Sequence, residues 1–271
     1  MHTIINRIFN CKDFIALHAT PNANNPCNEI VGYQRGLGIV QHPEPFSGNI
    51  KYAPILVVSS NPSINNKELY PDRTWPINMV HDFFLNRFTD RGATYSWVYE
   101  SRCLLDFSPT GSRGGTVTTW NEIQNNITRL IERDAIPGID YAFADIVHCK
   151  SKKNKGVKKA CSTCVKNYFD DLISVAKPCL IVAVGAAARN HFETTYNTIS
   201  DYNGIPVVCS PAPGASITRD FNRVFTPEEL NSLRDVLNKC PRTTTLEEYI
   251  PVSIDEVKAF IDLKIQNHIN N

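Results

Sequence analysis

An asparagine at a strand end, a carboxylate inside an apolar run, a lysine cluster and nine cysteines are the residues of this chain that could do chemistry. Asn61 stands in Ser59-Ser60-Asn61-Pro62-Ser63, directly after the apolar run Ile55–Val58. A short apolar run closed by turn residues reads as a buried parallel strand. Open α/β sheets bind ligands at the carboxyl ends of such strands. Pro62 biases Asn61 away from the helical region and removes the next backbone donor. In the plainer reading Asn61 only closes the turn. Asp145 lies inside a second apolar run, Tyr141–Cys149. A carboxylate there is costly unless paired, so Asp145 is either a paired structural residue or a ligand contact. Lys150–Lys159 carries six lysines. Such a run is ordinarily a solvated loop, yet at a sheet's carboxyl edge it can face phosphates. Cys161-x-x-Cys164 with Cys149 and His148 has the residue types of a zinc site; the alternative is free, buried thiols.

The elements that must position these residues follow from length and periodicity. A chain of 271 residues is within reach of one α/β domain with additions. Its net charge of +1 excludes bulk electrostatic binding of a polyanion, so any nucleic-acid contact needs a local patch. No apolar run approaches a membrane span. The N-terminus MHTIINRIFNCKDF lacks the long apolar stretch and cleavage site of a secretory signal. The expected setting is cytoplasmic, where cysteines are core residues or metal ligands rather than disulfides. Strands are predicted at 54–59, 141–149, 180–185 and 207–210. Helices are predicted over 81–88, 119–133 and 158–177, with another opening at 186–192. Thr226-Pro227-Glu228-Glu229 and Ser253-Ile254-Asp255-Glu256 read as capping boxes for two final helices. Strands alternating with helices make the class α/β with a mainly parallel sheet. One domain is expected: residues 1–53 as a short helix and a wrapping loop, 54–220 as the core and 221–271 as C-terminal helices. The aromatics of residues 65–140 are mostly core, and Gly111–Gly115 reads as a loop.

Three pieces of the chain, in order, resemble the uracil-DNA glycosylase superfamily. Ser59-Ser60-Asn61-Pro62-Ser63 is similar to the first motif of its mismatch-specific and single-strand-selective branches, which have Asn-Pro after two short residues. Ala144–Cys149, the predicted helix 158–177 and Leu180–Gly185 resemble the middle block of the iron–sulfur branch. Ser210-Pro211-Ala212-Pro213 resembles the second motif, usually written His-Pro-Ser-Pro. Together these pieces span about residues 53–220.

The resemblance implies a three-layer α/β/α fold around a four-stranded sheet, and a monofunctional glycosylase acting on DNA as a monomer away from membranes. Such an enzyme extrudes a nucleotide because its glycosidic bond is out of reach inside the stack. Asn61 would orient the attacking water, since an amide is a poor base. Backbone N–H groups around Ser59, Ser60 and Ser63 would hold a pyrimidine oxygen. The loop Pro211, Ala212, Pro213 and Gly214 would press into the minor groove. Lys150, Lys152, Lys153 and Lys155 would grip phosphates.

Two departures bear on the substrate. Ser210 replaces the histidine that stabilises the departing uracil in relatives. Asp145 matches a strand position that carries asparagine in relatives, and an ionised Asp only accepts hydrogen bonds. It would repel uracil O4 but take a hydrogen bond from a cytosine N4 amino group. The expected base is therefore a modified cytosine. Glucosylated hydroxymethylcytosine of some phages fits a defence role, as in a distant branch of the superfamily. A protonated Asp145 would bring uracil back, as in base-excision repair. A module that binds DNA without catalysis is the further alternative. A nucleotide-handling enzyme is disfavoured, because neither a P-loop nor Gly-x-Gly-x-x-Gly is present. Cys149 and Cys164, with fourteen residues between them, are similar to the second cysteine pair of the iron–sulfur branch. The first pair there is Cys-x-x-Cys. Here the candidates Cys11 and Cys27 have fifteen residues between them, a departure from the pattern. The resemblance implies a 4Fe–4S cluster on Cys11, Cys27, Cys149 and Cys164. Cys103, Cys179, Cys209 and Cys240 read as structural.

Overall fold

The computed structural model describes residues 1–91, 96–99, 103–105, 113–210, 220–242 and 252–269. Its elements are α1 (His2–Phe9), α2 (Lys12–Ala19), α3 (Asn28–Gly36), β1 (Ile55–Ser59), α4 (Ile77–Leu85), β2 (Val98–Tyr99), β3 (Cys103–Leu105) and β4 (Arg113–Thr116). There follow α5 (Thr118–Ile131), β5 (Tyr141–Asp145), α6 (Val157–Cys164), α7 (Asp170–Ala176), β6 (Leu180–Val184), α8 (Ala186–His191), β7 (Ser200–Tyr202), β8 (Ile205–Ser210), α9 (Pro227–Lys239) and α10 (Ile254–Ile269).

The four predicted apolar runs form the parallel part of one sheet, ordered β5-β1-β6-β8-β7. Their register brings four strand ends level across the sheet, at Asp145, Ser59, Val184 and Ser210. The fifth strand, β7, was not expected. It pairs antiparallel to β8 through a hairpin at Asn203-Gly204, both with positive φ. That dipeptide is what a two-residue hairpin turn selects, so the signal was present in the sequence. β2, β3 and β4 form a separate small antiparallel sheet, also unforeseen. Arg113–Gly115, read as loop, belongs to β4; Gly111 and Ser112 lie outside the described residues.

Alternation along the strands makes three layers. Ile55, Val57, Leu180, Val182 and Val208 face α5 and α9, through Ile123, Ile127, Leu130 and Leu237. Leu56, Val58, Ile181, Ala183 and Val207 face the opposite layer, built from α1–α4, α6–α8 and α10. The chain is thus a three-layer α/β/α fold with a mostly parallel five-stranded sheet. Both predicted capping boxes close: Thr226 with Glu229, and Ser253 with Glu256. Among the described residues no helix is long and apolar enough to cross a membrane.

The N-terminal third departs most from expectation. It folds three short helices rather than one, and they bury Ile4, Ile5, Ile8, Phe14, Leu17 and Ile30. The following segment runs against the free edge of β5. Ser47 and Phe143 exchange both backbone hydrogen bonds, and Glu44 N–H donates to His148 O. Gly48 allows this approach: its φ is +95°, and a Cβ there would sit 2.7 Å from Gly138 Cα. The predicted helix 158–177 is continuous in outline but contains a π turn, Val165–Phe169, between α6 and α7.

Candidate functional site

The level strand ends of β1 and β5 open into a cavity of about 320 Å³. Ser59, Asn61 and Asp145 line it, with Phe143 and Trp120 as an aromatic wall. The two rings lie 6.1 Å apart, and the Arg87 guanidinium sits 5.3 Å from the Trp120 ring centre. Asn61 leaves the strand as predicted. Its amide N–H groups donate to Pro62 O at 2.9 Å and Ser151 Oγ at 3.1 Å. With Nδ2 committed, Oδ1 is the atom that can accept from a water.

Ser59 and Asp145 are direct partners across β1 and β5, and Ser59 Oγ donates to Asp145 Oδ1. Burial, then the nearby charge of Glu44, pushes the Asp145 carboxyl up to about 8. The expected ionised carboxylate is therefore a neutral acid at pH 7, with one O–H to give. Ser60 lines the cavity, but its hydroxyl accepts from Ala187 N–H at 3.0 Å and pins α8 to β1. Gly185 permits that contact, since a Cβ there would lie 2.7 Å from Ser60 Oγ. Ser63 is exposed at the rim, bridged to Ser151. Ser210 is buried at the end of β8, separated from Ser59 by β6, and the described lining of the cavity does not include it. Pro211, Ala212, Pro213 and Gly214 lie outside the described residues.

One wall of the cavity is a buried ion network that sequence reasoning missed. Arg87 reaches Glu44 at 2.6 Å and Glu68 at 2.7 Å. Lys150 Nζ lies 2.8 Å from Glu68, and Ser47 Oγ donates to Glu44 at 2.9 Å. Burial pushes the Glu44 carboxyl up, but Arg87 and Lys150 outweigh it and hold Glu44 below its ordinary value. Lys150 corrects an expectation. It was placed with the phosphate-facing lysines, but its side chain is 2% exposed and its ammonium is 3.7 Å from the Tyr70 ring centre. Lys152, Lys153 and Lys155 are exposed, and Asn154 between them lines the cavity, so this loop forms part of its rim. Lys155 is 3.6 Å from Glu29. The one sequence hint of the network was the proline-flanked Glu44 in an unusually long loop.

The four cysteines converge although they are distant in sequence. Cys11 caps the start of α2, Cys27 that of α3, Cys149 follows β5 and Cys164 ends α6; all are buried. Cys27 and Cys164 interact thiol to thiol, which lowers Cys27 and raises Cys164. Cys149, raised mainly by burial, also feels Cys11 and Cys27. Cys11 is raised mainly by burial, which outweighs the lowering influence of the nearby Tyr168 hydroxyl. The π turn places Tyr168 there. In the zinc alternative, Cys161 is partly exposed and His148 Nδ1 is engaged by Glu44 O at 2.8 Å. Among the described residues no group of three or more His, Cys, Asp or Glu side chains is placed to hold a metal ion. A scan against protein-family models and a search of curated proteins find no match to the chain.

Proposed function

We propose that the protein is a monofunctional DNA glycosylase of the uracil-DNA glycosylase superfamily. It flips a modified cytosine, such as glucosylated hydroxymethylcytosine of phage DNA, into the cavity and hydrolyses its N-glycosidic bond. The observation that carries this reading is the convergence of Asn61 and the Ser59–Asp145 pair on one aromatic-walled cavity at the strand ends. Trp120 and Phe143 offer faces to a planar base. Asn61 Oδ1 holds the water against the sugar C1′. About 320 Å³ is in the range of pockets for drug-sized ligands, more than a bare ring needs. The wall of Glu44, Glu68, Arg87 and Lys150 offers polar contacts to a bulky, hydroxylated 5-substituent.

A neutral Asp145 changes how the base is read. Its O–H and C=O match the N3 and N4 edge of cytosine, and equally the O4 and N3–H edge of uracil. Selection therefore falls on the space around the 5-position, and uracil excision is the second reading that the neutral carboxyl favours. Lys152, Lys153 and Lys155 at the rim supply phosphate contacts. The protein works as a monomer in the cytoplasm.

The residue types and burial of Cys11, Cys27, Cys149 and Cys164 suit a 4Fe–4S cluster, whose thiolates surround a body larger than one ion. Bound there, it would supply a covalent clamp between the N-terminal helices and the sheet.

The test is base release from duplexes carrying uracil, hydroxymethylcytosine or its glucosylated form, followed by alkaline cleavage at abasic sites. Release from the modified cytosine is expected. Asn61→Ala should slow it roughly 10²-fold or more while DNA binding persists. Release from uracil alone makes the protein a repair enzyme. DNA retardation without any abasic site leaves only the binding module.

A further inference from the structure

A cytosine is a poor leaving group, because the electron pair of the broken C1′–N1 bond must settle on a neutral ring. Protonation of ring N3 removes that difficulty, so a cytosine glycosylase gains from an acid placed at N3. The histidine of the superfamily's second motif is absent here, and Ser210 is not among the residues lining the cavity. Arg87 and Lys150 do line it, but both are ion-paired, Arg87 with Glu44 and Glu68, and Lys150 with Glu68.

We infer that Asp145 is the general acid of this enzyme and protonates N3 of the flipped cytosine as the glycosidic bond breaks. This rests on the glycosylase reading above. Ser59, its register partner on β1, donates to Oδ1 and so fixes the plane of the carboxyl, leaving Oδ2–H for the base. Among the described residues Asp145 makes no ion pair, although charges face it from three directions. Glu44 comes from the segment beside β5, Lys150 from the turn after β5 and Arg87 from beyond α4. Two of the carboxyls lining the cavity thus differ in ionisation. Glu44 is held charged by Arg87 and Lys150, and Asp145 is held neutral by burial and by Glu44. Environments that split two carboxyls in this way assign the acid role to the neutral one.

The step balances. The Oδ2 proton moves to N3, the C1′–N1 bond breaks with its electron pair remaining on the ring, and the base leaves neutral. The water held by Asn61 forms the new C1′–O bond, and its released proton restores the Asp145 carboxyl. Uracil already carries a hydrogen on N3, so Asp145 could give it only a hydrogen bond at O4.

Single-turnover release across pH 5–10, from duplexes carrying uracil, hydroxymethylcytosine or glucosylated hydroxymethylcytosine, tests the assignment. Wild-type release of the cytosines should fall about tenfold per pH unit above about 8. Asp145→Asn keeps a donor and an acceptor but has no proton to lose. It should bind a duplex carrying non-cleavable 2′-fluoro-deoxycytidine as wild type does, release cytosines roughly 10²–10⁴-fold more slowly, and lack the alkaline fall. A wild-type profile without that fall overturns the acid role, even where the variant does not fold. So does a variant that retains the wild-type rate. No release by wild type from any duplex overturns the glycosylase reading, and the acid role with it.

Discussion

Replacing Asp145 with asparagine should make the protein more stable at neutral pH, by an amount that depends on pH. The unfolded chain ionises this carboxyl near its ordinary value of 3.8, whereas the folded protein keeps the proton up to about 8. Between those limits the unfolded state releases a proton that the native state retains. Stability is thus full below 3.8 and is lost as pH rises toward 8. Each pH unit in that window costs about 1.4 kcal/mol. From pH 4.5 to 7.5 the loss is on the order of 4 kcal/mol. Asparagine has no proton to release and preserves the acceptor for Ser59, so the variant escapes this loss. The assay is urea unfolding of both proteins at pH 4.5 and 7.5, handled identically so that any bound metal cancels in the comparison. The stability gap should be small at pH 4.5 and should widen by several kcal/mol in favour of the variant at pH 7.5. An equal gap at both values would show that Asp145 is ionised in the folded protein. The acid role would then fall, and selection of cytosine by an accepting carboxylate would return.

Three other outcomes are expected. Cys149→Ser should abolish visible absorption of protein purified without oxygen and lower its iron content; colourless wild-type protein would remove the cluster. Glu68→Ala leaves Arg87 and Lys150 with a single shared carboxylate, Glu44, in a buried setting. It should destabilise by roughly 3–5 kcal/mol in denaturant titration, and a loss under about 1 kcal/mol would mean that the network is hydrated. Reversing Lys152, Lys153 and Lys155 to glutamate should weaken DNA binding regardless of sequence. It should also flatten the dependence of log affinity on log salt by roughly 2–3, and an unchanged slope would place the phosphate track elsewhere.

The fold was legible wherever its cause was local. The apolar runs of β1, β5, β6 and β8 announce buried strands because a parallel strand covered on both faces must be apolar throughout. Thr226 and Ser253 mark helix starts because a cap acts over three residues. Asn203-Gly204 belongs to the same class and could have been used. The three short N-terminal helices were hidden because eight- and nine-residue segments hold little periodicity of their own and are stabilised by packing.

The site divides along the same line. Asn61 at a strand end and Asp145 in an apolar run were visible from their neighbours alone. The ionisation of Asp145 was not, because it is set by burial and by Glu44, about a hundred residues earlier in the chain. Lys150 illustrates the limit most sharply. Among six lysines its composition says surface, yet it is the first residue past Cys149, still within the fold, and Glu68 draws its ammonium inward. The convergence of Cys11, Cys27, Cys149 and Cys164 depends likewise on how helices α2, α3 and α6 pack against the end of β5. Backbone pattern and capping are short-range and are written in the sequence. Charge state and side-chain company depend on which distant groups share a desolvated space, and only the tertiary structure decides that.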